Sequence, residues 1–159
     1  MSRLFLVVGM PGSGKTTFAR TLAARHGAIR LNPDDWLGPL HADPTDATFR
    51  RHLERALWAH GQELLRNGVA VIVEFGSWTR LERSYKRRDA QALGVPVELH
   101  VLDVDLEERW RRLERRNASP RAPQITRAQL EEWEHFWQPV NDEERSGFDQ
   151  PASTPLGRS

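Results

Sequence analysis

Gly9-Met10-Pro11-Gly12-Ser13-Gly14-Lys15-Thr16 is the stretch whose reading decides the fold. It has the spacing G-x-x-x-x-G-K-T. Before it runs Arg3-Leu4-Phe5-Leu6-Val7-Val8, apolar and of strand length; after it, Thr17 to Ala24 reads as a helix. Strand, glycine-rich turn and helix together form the setting in which this spacing cradles phosphate. The glycines let the backbone curl its N–H groups inward, and the new helix adds the positive end of its dipole. Lys15 then reaches the β- and γ-phosphates, and the Thr16 hydroxyl holds Mg²⁺. Gly9, Pro11, Gly12, Ser13, Gly14, Lys15, Thr16 and Thr17 are therefore the expected binding set for Mg·ATP. Of the 23 Lys and Arg residues only Lys15 and Lys86 are lysines, so the motif's lysine stands out against an arginine-rich background.

Outward from the motif, strands and helices alternate. Ala28-Ile29-Arg30-Leu31 reads as a short strand, broken by Asn32-Pro33-Asp34-Asp35. Phe49, Leu53, Leu57, Leu64 and Leu65 recur at helical spacing between Thr45 and Asn67, and Asn67-Gly68 is a stop signal. Val69 to Val73 is uninterrupted apolar chain, as in a strand buried on both faces. Thr79 to Leu93 is a helix ending at Gly94, and Val97 to Leu102 a fourth strand. Leu106, Trp110 and Leu113 mark a further helix, and Asn117 to Pro123 is a loop with two prolines. Thr126-Arg127-Ala128-Gln129 fits a capping box opening a helix through Trp137; beyond Pro139 the chain turns polar, and its last ten residues read as frayed. The expected architecture is α/β: a parallel sheet of four or five strands with helices on both faces, forming a P-loop NTPase. One domain over residues 1–140, with a small lid near 110–125, is followed by a polar tail over 141–159.

At 159 residues, 38% hydrophobic and 28% charged, the chain suits one soluble globular domain. A net charge of +1 gives no general drive toward nucleic acid or membrane. There is no cysteine, which excludes disulfide and thiolate chemistry, and no apolar run of membrane-spanning length. A cytoplasmic location is expected. The six histidines form no ligand-spaced cluster.

Four segments carry a family resemblance. They are the glycine-rich stretch, Leu-Asn-Pro-Asp-Asp-Trp (31–36), Val-Ile-Val-Glu-Phe-Gly-Ser-Trp (71–78) and Trp-Arg-Arg-Leu-Glu-Arg-Arg-Asn (110–117). Together they resemble the small P-loop predicted kinases with an AAA-type domain, over about residues 3–140. Relatives of that group include chloramphenicol phosphotransferase, zeta toxins and the kinase domain of 5′-polynucleotide kinases. The resemblance implies a nucleotide-kinase-like fold and transfer of phosphate from ATP to a hydroxyl.

In such a fold, ligands gather at the carboxyl ends of the strands, where Asp34, Asp35, Glu74, Asp103 and Asp105 follow their strands. Phosphoryl transfer to a hydroxyl needs a carboxylate that aligns the acceptor and takes its proton. Asp34 and Asp35 divide that work, one facing the acceptor and the other tuning it or capping the next helix; the same pair also suits a simple turn after Pro33. Similarity to polynucleotide kinases points to Asp34 as the base. Leu37, however, stands where those enzymes place an arginine, which argues against a nucleic-acid end as acceptor. Glu74 ends an apolar strand, where it either orients a Mg²⁺-bound water, contacts the acceptor or caps the turn. Asp105 reads as a helix cap.

Arg109, Arg112 and Arg116 share a helical face, and lid arginines can neutralise charge gathering on a transferring phosphate. Family similarity favours Arg112 and Arg116; a solvated face paired with Glu107, Glu108 and Glu114 is the alternative. Arg80 and Arg83 either meet an anionic acceptor or decorate a helix start. Trp36 and Trp78 either wall a pocket or pack locally. The expected site is thus Lys15, Asp34, Arg112 and Arg116 for the chemistry, and Asp35, Trp36, Glu74, Trp78 and Arg83 around the acceptor. The expected activity is transfer of the γ-phosphate of Mg·ATP to a small hydroxylated acceptor. A 5′-polynucleotide kinase and a non-kinase ATPase or switch are the alternatives. No Asn-Lys-x-Asp follows, nor an Asp-x-x-Gly after the third strand, so a regulatory GTPase is excluded.

Overall fold

The computed structural model describes residues 2–120 and 124–151. The middle of the expected lid, 121–123, and the end of the expected tail, 152–159, lie outside these residues.

Four strands, β1 (Leu4–Val8), β2 (Ile29–Leu31), β3 (Val71–Val73) and β4 (Val97–Val101), form one sheet in the order β2-β3-β1-β4. Every pairing is parallel; Leu6 lies opposite Val73 on one side and Leu99 on the other. All five residues of β1 are buried, as its continuous apolar run requires at the centre of a sheet covered on both faces.

Alternate residues of β1 feed two separate cores. Leu4, Leu6 and Val8 join Leu57, Trp58 and Leu65 of α3 (Ala47–Arg66) and Ala90 of α4 (Arg80–Ala92). Phe5 and Val7 join Ile72, with Ala19 and Leu22 of α1 (Lys15–His26), on the other face. This is the period-two geometry of a strand. Among the described residues, no helix is long and apolar enough to cross a membrane.

Two expectations need correction. Asn32 to Asp35 is more than a break: α2 (Asp34–Leu37) starts inside it, because the Asn32 side-chain oxygen accepts from the Asp34 N–H at 3.0 Å. The polar stretch after Pro139 is no loose tail through its described part. It forms α7 (Asp142–Arg145), buries Glu144 and Phe148, and pairs Asp149 with Val97 of β4 through two hydrogen bonds of 2.8 Å. Polarity misled here because Glu144 is buried as a partner for a charge rather than as a surface group.

The remaining helices are α5 (Leu106–Asn117) and α6 (Arg127–Glu134). Asp105 caps α5 by accepting from the Glu108 N–H, and the capping box at Thr126 and Gln129 is formed. Asn117, expected in the loop, ends α5 and clips the chain to Ile125 through two hydrogen bonds.

Candidate active site

The strand order decides what meets what. With β3 between β1 and β2, the glycine-rich turn, Glu74 and the Asn32–Asp35 segment lie side by side along one edge of the sheet.

Gly12 has φ +83°, and a Cβ there would approach the Arg109 carbonyl oxygen to 2.7 Å, so only glycine fits between the turn and α5. Gly14, left-handed at φ 90°, precedes α1, whose first turn has no side-chain cap. Its leading N–H groups thus point at the turn without an internal partner. Ser13 Oγ is buried and has no hydrogen-bond partner among the described residues. An orphaned hydroxyl, uncapped helix N–H groups and a lysine fit a polyphosphate. Burial lowers the Lys15 pKa to about 8, against the raising effect of Glu74 and Asp34; Arg50 lowers it further and Glu54 raises it.

The Thr16 hydroxyl donates to Glu74 Oε1 at 3.1 Å. Asn32 Nδ2 donates to that same oxygen at 3.3 Å, while Arg30 grips Glu74 Oε2 through Nε at 2.7 Å and Nη2 at 2.6 Å. Glu74, 5% exposed, thus joins the Thr16 end of the glycine-rich turn to the end of β2. Thr16 and Glu74 supply the hard oxygen donors that Mg²⁺ takes. Arg30 also reaches Asp35 at 3.4 Å.

Asp34 is held from α3: Arg50 Nη1 donates to Asp34 Oδ1 at 2.7 Å, and Arg50 Nε lies 3.4 Å from Glu54 Oε1. Beside Glu54 a cleft of about 240 Å³ opens between α3 and α4, lined by Phe75, Gly76, Glu82, Tyr85 and Lys86. Lys86 is fully buried and donates to the Phe75 and Gly76 carbonyls and to Ser77 Oγ. Burial brings its pKa to about 8 and pushes the Glu54 carboxyl up.

Arg112 extends from α5 to the glycine-rich turn, its Nη1 3.4 Å from the Gly12 carbonyl oxygen and its Nε on Glu108 at 3.1 Å. Arg116 stands exposed one turn further. Arg109 leaves the shared face: it is buried, bonded to Glu134 of α6 and to the Val104 carbonyl.

Arg83 is a correction. It is fully buried, with Nε on both Glu144 oxygens at 2.8 and 3.0 Å and Nη1 on the Ser77 and Trp78 carbonyls at 3.1 Å. An internal ion pair holds it where an acceptor contact was expected. Trp78 packs against Trp133 with ring centroids 6.0 Å apart, and Trp36 is 41% exposed on α2; neither lines the cleft. Arg30, Asn32, Arg50 and Glu54 join the site without having been marked by the sequence. The spacing of Phe49, Leu53 and Leu57 showed where α3 runs, but nothing local marks an arginine on α3 as partner of an aspartate on α2.

Comparisons with known proteins bear on the family and the fold. A probable adenylyl-sulfate kinase of Aeropyrum pernix is 36% identical over 114 residues, 67% of this chain and 61% of that relative. The chain therefore matches less than two thirds of that relative's length. A chain of the Pnkp1/Rnl/Hen1 RNA repair complex superposes with a TM-score of 0.74 at 24% identity, over 93% of this chain and 46% of that one. A gluconokinase from Sinorhizobium meliloti 1021 superposes with a TM-score of 0.63 at 17% identity, covering 90% and 79%. The fold is that of P-loop kinases. Residues 4–140 match the family described as AAA domain, and the chain belongs to that family.

Proposed function

We propose that this protein is an ATP-dependent phosphotransferase acting on a hydroxyl of a small acceptor. The observation that carries the reading is the convergence, at the carboxyl ends of neighbouring parallel strands, of a glycine-rich turn ending in Lys15 and the carboxylate of Asp34 held by Arg50.

Gly9, Pro11, Gly12, Ser13, Gly14, Lys15, Thr16 and Thr17 bind the nucleotide's phosphates. Mg·ATP supplies the phosphoryl group, and Thr16, with Glu74 beside it, holds the ion. Asp34 aligns the acceptor hydroxyl and takes its proton. Arg112, already at the Gly12 carbonyl, neutralises charge on the phosphate oxygens, with Arg116 behind it. Asp35 and Trp36 follow Asp34 on α2 and flank the acceptor there. A net charge of +1 and the absence of a basic track favour a compact acceptor over a nucleic-acid end.

ADP formation, measured with and without a panel of sugars, nucleosides, hydroxylated antibiotics and oligonucleotides, tests this. Stimulation by a small hydroxyl compound is expected. Stimulation by oligonucleotide 5′-ends alone, falling steeply with salt, would replace it with a polynucleotide kinase.

A further inference from the structure

Asp34 is poorly built to be precise by itself. Its side chain is 62% exposed, it opens a helix of four residues, and among the described residues its one side-chain partner is Arg50. A carboxylate so placed samples several staggered rotamers in water. A group that takes a proton in a transition state must instead be held within about 0.5 Å of its working position.

Arg50 comes from the opposite kind of element. Helix α3 is 20 residues long and anchored by Leu53, Leu57, Trp58, Gly61 and Leu65. One turn after Arg50, Glu54 meets the guanidinium Nε at 3.4 Å while Nη1 is 2.7 Å from Asp34 Oδ1. The guanidinium is a planar fork with donors in fixed directions. With Nε toward Glu54, its far edge meets Asp34 in one orientation. Only Oδ1 is engaged, so Oδ2 keeps its lone pairs for an acceptor proton.

We propose that Arg50 is the positioning residue of the site: Glu54 orients it, and it fixes the Asp34 carboxylate on the rigid frame of α3. This rests on the reading of Asp34 as the base. It adds that the base is aimed by a residue 16 positions away on another helix.

A double-mutant cycle on the full chain tests it, reading kcat with the best acceptor, KM for ATP, and the melting temperature. Arg50→Met should lower kcat by about tenfold to a hundredfold, the range open to misplacement of a reacting group. KM for ATP should change far less than kcat, because Arg50 makes no contact with the phosphate cradle and reaches Lys15 only through space. Arg50→Lys, which keeps the charge but loses the fork, should recover only part of the loss; Glu54→Gln should cost less than Arg50→Met. In an Asp34→Asn background, Arg50→Met should cost almost nothing further, since it acts through a group already removed. A wild-type kcat in Arg50→Met, or the same fold-loss from Arg50→Met in the parent and in the Asp34→Asn background, overturns the positioning role. A wild-type rate in Asp34→Asn overturns the base assignment, and the positioning role with it. Should Arg50→Met melt much lower than the parent, Arg50→Lys and Glu54→Gln carry the same comparison.

Discussion

Lys15 carries the electrostatic tension of the site. Burial disfavours its charge, Glu74 and Asp34 favour it, and the balance leaves its pKa at about 8. A lysine poised there is an ammonium below pH 8 and loses that charge above it. Phosphate oxygens favour the charged form, so nucleotide binding raises the pKa and takes up a proton where the free lysine is neutral. ATP affinity should therefore be flat below about pH 8 and fall by up to tenfold per pH unit above it. Calorimetric titrations in buffers of different ionisation enthalpy measure both the affinity and the proton uptake. Lys15→Ala should remove the pH dependence along with turnover. An affinity that stays constant to about pH 9.5 would show either that Lys15 keeps its charge throughout that range or that its charge plays no part.

Helix α5 links the nucleotide side of the site to the rest of the chain. Arg109 ties it to α6 and Leu113 buries its inner face, while Arg112 projects over the glycine-rich turn. Arg112→Gln should lower kcat by about tenfold to a hundredfold with little change in ATP affinity, because its charge is needed most as phosphate charge redistributes. An equal loss in both quantities would make Arg112 an ordinary ground-state contact. The helix was legible in the sequence through Leu106, Trp110 and Leu113, and its cap through Asp105. The division of labour among its arginines was not. Three arginines on one face look alike until Glu134, from a helix further along the chain, takes Arg109 away.

For the molecule as a whole, local pattern settled the parallel sheet and the place of the glycine-rich turn between β1 and α1, since both are written in contiguous residues. What it left open depends on long-range pairing. Arg83 and Glu144 are 61 positions apart, and each looks like a surface charge in its own neighbourhood. Together they form a buried pair that docks α7 and, through Asp149, covers the edge of β4. Glu144→Ala should destabilise the protein by about 3–5 kcal/mol, the usual penalty for leaving one partner of a buried pair alone. For a chain of this size that lowers the melting temperature by at least about 6 °C. A shift under about 2 °C would mean that the C-terminal segment is dispensable to the fold. The same limit applied at the site: Asp34 could be singled out by its position after a strand, whereas Arg50 appeared only once α3 was seen lying against α2. The central claim is that Asp34 activates an acceptor hydroxyl beside a P-loop. Transfer of the γ-phosphate of labelled ATP to a hydroxyl acceptor, compared between wild type and Asp34→Asn, tests it most directly. A fall of about a hundredfold or more with ATP binding unchanged is the predicted result; equal transfer rates in the two proteins would contradict it.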